Sequence, residues 1–136
     1  MELIRPSRTD EIDAVLDLWA ESRSAAAATT DRREDVERLV DEGAVMVAEY
    51  DGALVGALIA AWDGWRGNMY RLAVRESHRR RGLGRALVEA GEDHLRRRGA
   101  RRVTALIADE DDHAAALWRA AGYEHNPNIA RYVRNI

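Results

Sequence analysis

The stretch Met69-Tyr70-Arg71-Leu72-Ala73-Val74, Arg75-Glu76-Ser77-His78, Arg79-Arg80-Arg81-Gly82-Leu83-Gly84-Arg85 and then Ala86 to Leu95 decides the fold. It reads as an apolar strand, a polar turn, a basic loop with two glycines, and an amphipathic helix. The first N–H groups of a helix have no internal partner, and the helix dipole is positive at that end. Gly82 and Gly84 let an anion approach the backbone with no Cβ in the way. The stretch therefore has the makings of a phosphate-binding loop. A Walker loop is excluded, because it requires a lysine and all 21 basic residues here are arginine. A dinucleotide fingerprint fits poorly: Gly82-Leu83-Gly84-Arg85-Ala86-Leu87 has leucine at the third glycine position and lies mid-chain.

Outward from this stretch, the rest of the chain falls into short elements. Leu3-Ile4-Arg5 reads as a first strand. Thr9 is a plausible N-cap for a helix in which Ile12, Val15, Leu16 and Trp19 recur at helical spacing. Ser22 to Thr30 is alanine-rich and aperiodic, and Asp31 to Asp41 reads as a second helix. Ala44–Tyr50 and Ala53–Ala60 are strands joined by Asp51-Gly52, a two-residue hairpin signal. Asp63 to Asn68 is a glycine-containing loop before the central strand. Gly99 is placed to end the long helix, Arg102–Ala108 reads as a strand, Asp111 or Asp112 starts a short helix ending at Gly122, and Ile129–Arg134 reads as a last strand. The order β-α-α-β-β-β-α-β-α-β predicts a single α/β domain over residues 1–136, with a mixed sheet flanked by helices. The strand–helix–strand crossover in the second half should be parallel and right-handed.

Composition narrows the chemistry. There is no cysteine, so disulfides, thiolate metal sites and a cysteine nucleophile are excluded. The four histidines are scattered without metal-ligand spacing, and no metal is expected. No run approaches the length of a membrane span, and the N-terminal residues lack a signal-peptide core, so a cytoplasmic protein is expected. The net charge of −3 is uneven: residues 9 to 51 are mostly acidic, and residues 66 to 102 are basic. That asymmetry points to an anionic ligand in the second half. Arg96-Arg97-Arg98 and Arg101-Arg102 suit the negative end of a helix dipole better than a nucleic-acid surface, since no aromatic residue is interleaved with them.

The longer pattern, a strand ending in Leu-Ala-Val, a short turn, then R-x-x-G-x-G opening a helix, resembles the acetyl-CoA loop of the Gcn5-related N-acetyltransferases. Arg79, Gly82 and Gly84 carry that match. Ala114 to Tyr123 is similar to the family's second motif, and Asp63-Gly64-Trp65-Arg66-Gly67 is similar to a D-G-x-R-G segment of a bacterial subgroup. The resemblance implies a mostly antiparallel, acyl-CoA N-acyltransferase-like sheet. It also implies transfer of an acetyl group from acetyl-CoA to an amine by direct attack, the amine belonging to a small molecule, a peptide or a protein. Leu72, Ala73 and Val74 would pair with the pantetheine arm. Arg79, Arg80, Arg81, Gly82, Leu83, Gly84 and Arg85 would cradle the diphosphate, and Trp118 would pack on the arm. Trp118 stands where the family usually has a proton-donating tyrosine, and an indole has no proton to give in this range. An acid, if one is needed, must then be another group: Tyr123 as a weak candidate, Tyr132 or water. For a base, Glu21, Glu49, Asp63 and Asp109 are available, with Asp63 favoured by its place beside the cofactor strand. Asp109-Glu110-Asp111-Asp112 reads as helix capping or as a lure for a cationic amine, and Trp19, Trp62 and Trp65 with the Ser22–Thr30 loop are candidates for a pocket wall. A homodimer is a further expectation. From a different class, the missing tyrosine leaves open a coenzyme A-binding module with little or no turnover.

Overall fold

The computed structural model describes residues 2–22, 31–108 and 111–136. The strands are β1 (Glu2–Pro6), β2 (Val45–Tyr50), β3 (Ala53–Trp62), β4 (Gly67–Val74) and β5 (Val103–Ala105). The helices are α1 (Ile12–Glu21), α2 (Arg33–Asp41), α3 (Leu83–Arg98) and α4 (Asp112–Ala120). The sheet order follows the chain, β1-β2-β3-β4-β5, with the first four strands antiparallel and β5 parallel to β4. The mixed, mostly antiparallel sheet read from the sequence is therefore present. The β2–β3 hairpin turns at Asp51 and Gly52, both with positive φ (50° and 85°), the backbone a two-residue turn requires.

The sheet has a core on each face. On one, Ile12, Val15, Leu18 and Trp19 of α1 and Val36 and Val40 of α2 meet Val45, Val47, Ala57, Ile59 and Ala73. On the other, Leu83, Leu87, Val88 and Leu95 of α3 and Trp118 of α4 meet Met46, Ala48, Val55, Leu58, Ala60 and Met69. The alternation along β2 and β3 feeds both cores, as a strand buried on two sides must. Gly91 sets how close α3 lies. A Cβ there would fall 2.9 Å from Met69 Cε and 3.1 Å from Leu58 Cδ2.

Several sequence expectations shift. The long helix starts at Leu83 rather than Ala86. Asp111 is the N-cap of α4, its carboxylate accepting from Ala114 N at 2.9 Å. The fifth strand is Val103–Ala105, not Arg102–Ala108, because β5 tracks β4 only from Gly67 to Met69 and then diverges. The last strand expected at Ile129–Arg134 is absent: residues 123–136 form neither helix nor strand, and the segment pairs with none of the five strands of the sheet. The three tryptophans do not share a wall. Trp19 is in the α1 core, Trp62 packs on the α3 side, and Trp65 lies 71% exposed in the β3–β4 turn. The part of the Ser22–Thr30 loop beyond Ser22, together with Asp109 and Glu110, lies outside the described residues. No helix among the described residues is long and apolar enough to cross a membrane.

A half-buried ion cluster ties the N-terminal strand down. Arg5 donates to both carboxylate oxygens of Glu11, at 2.8 and 2.7 Å, and to Glu49 at 2.8 Å. Glu11 also accepts from the Arg8 N–H at 2.8 Å. The Arg5 hydrogen bonds, with the Arg8 N–H behind them, bring the Glu11 pKa down to about 2 against the ordinary 4.5. A carboxylate lowered in the folded state stabilises fully above its unfolded pKa, and the contribution fades as pH falls through the folded value. Glu11→Gln is expected to cost about 1–3 kcal/mol at neutral pH. The gap in Tm between wild type and variant should close between pH 4.5 and 2, which a thermal-melt series across pH measures.

Candidate functional site

The site is built where β4 parts from β5. The β3–β4 register slips between Ala57 and Ile59: Ala57 faces Ala73, but Ile59 faces Tyr70. Leu58 thus stands opposite both Arg71 and Leu72, a bulge with one extra residue in β4. Arg71 absorbs it with a left-handed backbone, φ 59°. The slip changes which backbone groups face outward. Before it, Met69 C=O points toward β5 and accepts from Leu106 N at 3.3 Å. After it, Arg75 N donates to Val55 O on β3 at 2.8 Å, so by alternation Leu72 and Val74 turn their N–H and C=O away from β3. Among the described residues, no strand covers that side of β4 beyond Met69. An extended ligand can pair there like an added strand.

The loop after β4 closes one end of this slot. Glu76–His78 is a single turn of 3-10 helix, and Arg79 then folds back so that its Nε donates to Val74 O at 3.1 Å. Arg80 takes a left-handed backbone at φ 64° and Gly82 another at φ 78°. The space beside Gly82 is open: nothing lies within 4 Å of where its Cβ would be. Glycine gives the turn its φ without strain and leaves that space clear. Among the described residues, the N–H groups of Arg80, Arg81 and Gly82 have no main-chain acceptor, and those of Leu83, Gly84 and Arg85 are the unpartnered first turn of α3. The start of α3 also differs from the other helices. α1, α2 and α4 carry Asp or Glu in the first turn, whereas α3 has none. Its positive end is left for an external anion.

A cavity of about 210 Å³ runs along the loop, lined by Val74, Arg79, Arg80, Gly82 and Gly84 on one side and His113 and Leu117 of α4 on the other. A neighbouring hollow of about 320 Å³ is lined by Glu76, Arg79, Arg80 and His113. The arginines divide their work. Arg79 and Arg80 line both spaces, and Arg85 lines the first while lying 3.7 Å from Glu89. Arg81 turns away and stacks over Tyr50, 5.1 Å from the ring centroid, and the same ring meets His78 edge-on at 5.1 Å. Tyr50 thereby braces the loop from β2. Leu83 is wholly buried and anchors the loop in the core.

The residues expected to move protons sit elsewhere. Asp63 holds the β3–β4 turn: its carboxylate accepts from Arg66 N at 2.6 Å, Trp65 N at 2.8 Å and Asn68 Nδ2 at 3.2 Å. The Arg66 and Trp65 bonds lower its pKa, which makes it a weaker base. It precedes Gly67, the start of β4, and the bulge at Arg71 lies four residues, roughly 13 Å, further on. Tyr123 donates its hydroxyl to Glu92 of α3 at 2.7 Å. Burial, then Glu92, pushes its pKa up, which makes it a weaker acid. Trp118 is 5% exposed and meets Tyr123 edge-on at 4.8 Å within the α3-side core. Glu49 is engaged by Arg5, and Glu21 by Arg75 at 3.3 Å.

Leu72, Val74, Arg79, Arg80, Gly82, Leu83, Gly84 and Arg85 are thus brought together around one groove. Ala73 belongs to the strand but faces the α1 core. The bulge at Arg71, the bracing ring of Tyr50 and the lining residue His113 escaped the sequence reading. Nothing in the sequence marks Arg71, since arginine is not the residue that a left-handed position favours.

Comparison with known proteins agrees with this geometry. The acetyltransferase (GNAT) family model matches residues 12–123. An acetyltransferase of Pectobacterium atrosepticum is 32% identical over 123 residues, covering 89% of this chain and 86% of that one. Among solved structures, a GCN5-related N-acetyltransferase from Ralstonia eutropha superposes with a TM-score of 0.74 at 22% identity, covering 98% of this chain and 99% of that one. The yncA protein of Salmonella typhimurium, solved with its cofactor acetyl-CoA, gives a TM-score of 0.75 at 20% identity over 90% of this chain and 79% of that one. With residues 12–123 matched by the family model and a relative 32% identical over 123 residues, the chain belongs to the acetyltransferase (GNAT) family as an acetyl-CoA-dependent enzyme.

Proposed function

We propose that the groove between β4 and α4 holds acetyl-CoA and that an amine attacks the thioester carbonyl directly, beside the bulge at Arg71. The observation that supports this most is the set of outward backbone groups at Leu72 and Val74, in line with the unpartnered N–H groups from Arg80 to Arg85. Leu72 and Val74 pair with the pantetheine arm, with Ala73 as the strand residue between them. The loop N–H groups hold the diphosphate, and Arg79, Arg80 and Arg85 add charge-assisted contacts. Arg81 and Leu83 keep the loop in shape, and Trp118 packs beneath the cofactor helix rather than against the arm. Acetyl-CoA supplies the activated acyl group and a leaving thiolate whose pKa, about 8.5, asks little of a general acid.

The amine's proton leaves through water in the slot. Asp63 keeps its turn and Tyr123 its place on Glu92 in this reading, because each is already engaged by hydrogen bonds that oppose the proton transfer asked of it. The acceptor is an amine of a small molecule, a peptide or a protein. We propose further that the enzyme belongs to the bacterial D-G-x-R-G subgroup, a reading the Asp63–Gly67 segment supports, and that it acts in the cytoplasm.

Acetyl-CoA consumption across a panel of amino acids, polyamines, aminoglycosides and peptide N-termini tests the reaction. Turnover with at least one amine is expected. Thermal stabilisation by acetyl-CoA with no turnover on any amine would mark a binding module instead.

Gly82→Asp places a carboxylate in the open space beside the loop, so acetyl-CoA affinity should fall at least about 100-fold, more than 2.7 kcal/mol. Calorimetric titration of the folded variant measures it, and unchanged affinity would move the diphosphate elsewhere.

Asp63→Asn keeps an acceptor for the turn N–H groups. It should leave kcat/KM within a few-fold of wild type at every pH. A loss of about 10²–10⁴ together with the low-pH limb of the profile would restore Asp63 as the base.

A further inference from the structure

Along the chain, Arg96-Arg97-Arg98 and Arg101-Arg102 have no aromatic residue among them. The fold brings one from another segment. β5 runs parallel to β4 with Gly67 opposite Val103, and Gly67 N donates to Arg102 O at 3.1 Å. That register sets Arg66 beside Arg102, and it lays the β3–β4 turn, with Trp65, alongside the connection from α3 to β5. The same connection touches the end of β3: a Cβ on Gly99 would lie 4.0 Å from the Trp62 ring. The end of α3, the start of β5 and the β3–β4 turn therefore meet at one end of the sheet.

Trp65 is 71% exposed there. The Arg66 guanidinium lies over its ring, 4.0 Å from the centroid. One face of the indole is covered and the ring is held in place, while the other face looks into solvent. Arg97, Arg98, Arg101 and Arg102 are all exposed. Among the described residues, neither they nor Arg66 are paired with an acid, whereas Arg96 is paired with Asp93 at 2.9 Å. Asp63, the acid of the turn, has its carboxylate on the N–H groups of Trp65 and Arg66. The negative end of the α3 dipole is equivalent to about half a charge and fades within the last turn. It accounts for Arg97 and Arg98, but not for Arg66, Arg101 and Arg102, which lie outside the helix.

We propose that this end of the sheet binds single-stranded nucleic acid. The unpaired arginines follow the phosphates, and the open face of Trp65 stacks on one base. An acidic protein segment would engage the arginines but offers the indole no flat partner. A duplex keeps its base faces stacked within itself and out of reach of the ring. The surface is also distinct from the groove. The basic glycine loop stands at the start of α3 and this patch at its end, sixteen residues or roughly 24 Å away, so nucleic acid and acetyl-CoA bind together.

Fluorescence anisotropy of a labelled single-stranded RNA of mixed sequence, about 16 nucleotides long, tests the proposal. The titration is run with coenzyme A in excess, which keeps the RNA off the loop at the start of α3. Wild type is expected to bind at low salt, with log K falling against log salt at a slope of about −3, the value for four to five phosphates on a single strand. Trp65→Ala should bind about 5- to 150-fold more weakly, the loss of one stacked base. The double variant Arg101→Gln with Arg102→Gln should flatten the slope by about 1.4. None of these side chains makes a hydrogen bond within the fold, so circular dichroism and acetyl-CoA affinity should match those of wild type. No binding at low salt overturns the proposal, as does displacement of the RNA by coenzyme A. Wild-type affinity in Trp65→Ala, an unchanged slope in the double variant, or equal binding of the same sequence as a duplex or of polyglutamate each overturns it as well.

Discussion

The contact between α3 and the sheet governs the rest of this structure. α3 is one helix with two features that depend on each other: its flank completes a core, and its start leaves the first N–H groups without an internal partner. Leu83, Leu87, Val88 and Leu95 are all but fully buried, and they fix both the height and the rotation of the helix. Gly91 lets the helix axis come close enough for these side chains to reach Leu58, Ala60 and Met69. Close packing of this kind tolerates little displacement. A helix held so firmly along sixteen residues, roughly 24 Å, aims its first N–H groups with the precision of the core rather than with the looseness of a loop. The basic residues at its other end, Arg96 to Arg98, lie in the last turn where the dipole favours them, remote from the groove.

What was legible in the sequence follows from this division. The loop could be read because its constraints are local. A positive φ calls for glycine, an anion calls for arginine, and a helix packed along one flank calls for spaced apolar residues. Gly82, Arg79 and Leu87 each report one of these without help from distant parts of the chain. The bulge at Arg71 could not be read, because a register slip belongs to two strands at once, and β3 gives no sign of it at Leu58. The early divergence of β5 is of the same sort. Nothing in Leu106-Ile107-Ala108 differs from a strand continuing, and the strand stops only because β4 no longer runs beside it.

The proton-handling residues illustrate a different limit. Asp63 and Tyr123 have the right functional groups and stand near the right motifs. Sequence proximity does not show which partners a side chain has already taken. Asp63 is the centre of a turn and Tyr123 is tethered to α3, and both facts depend on atoms several residues away. Residue type nominates a catalytic group, whereas its hydrogen bonds decide whether the proton is free to move.

The arginine-only loop has a consequence for a protein that works with a reactive thioester. Lysine would serve the phosphates nearly as well by charge. Its neutral amine, however, is a nucleophile and would be open to acylation by any thioester brought beside it. A guanidinium stays protonated above pH 12 and offers no lone pair to a thioester. With every basic side chain an arginine, the loop keeps its positive charge in the presence of acetyl-CoA, and the enzyme presents no side-chain amine to compete with its acceptor.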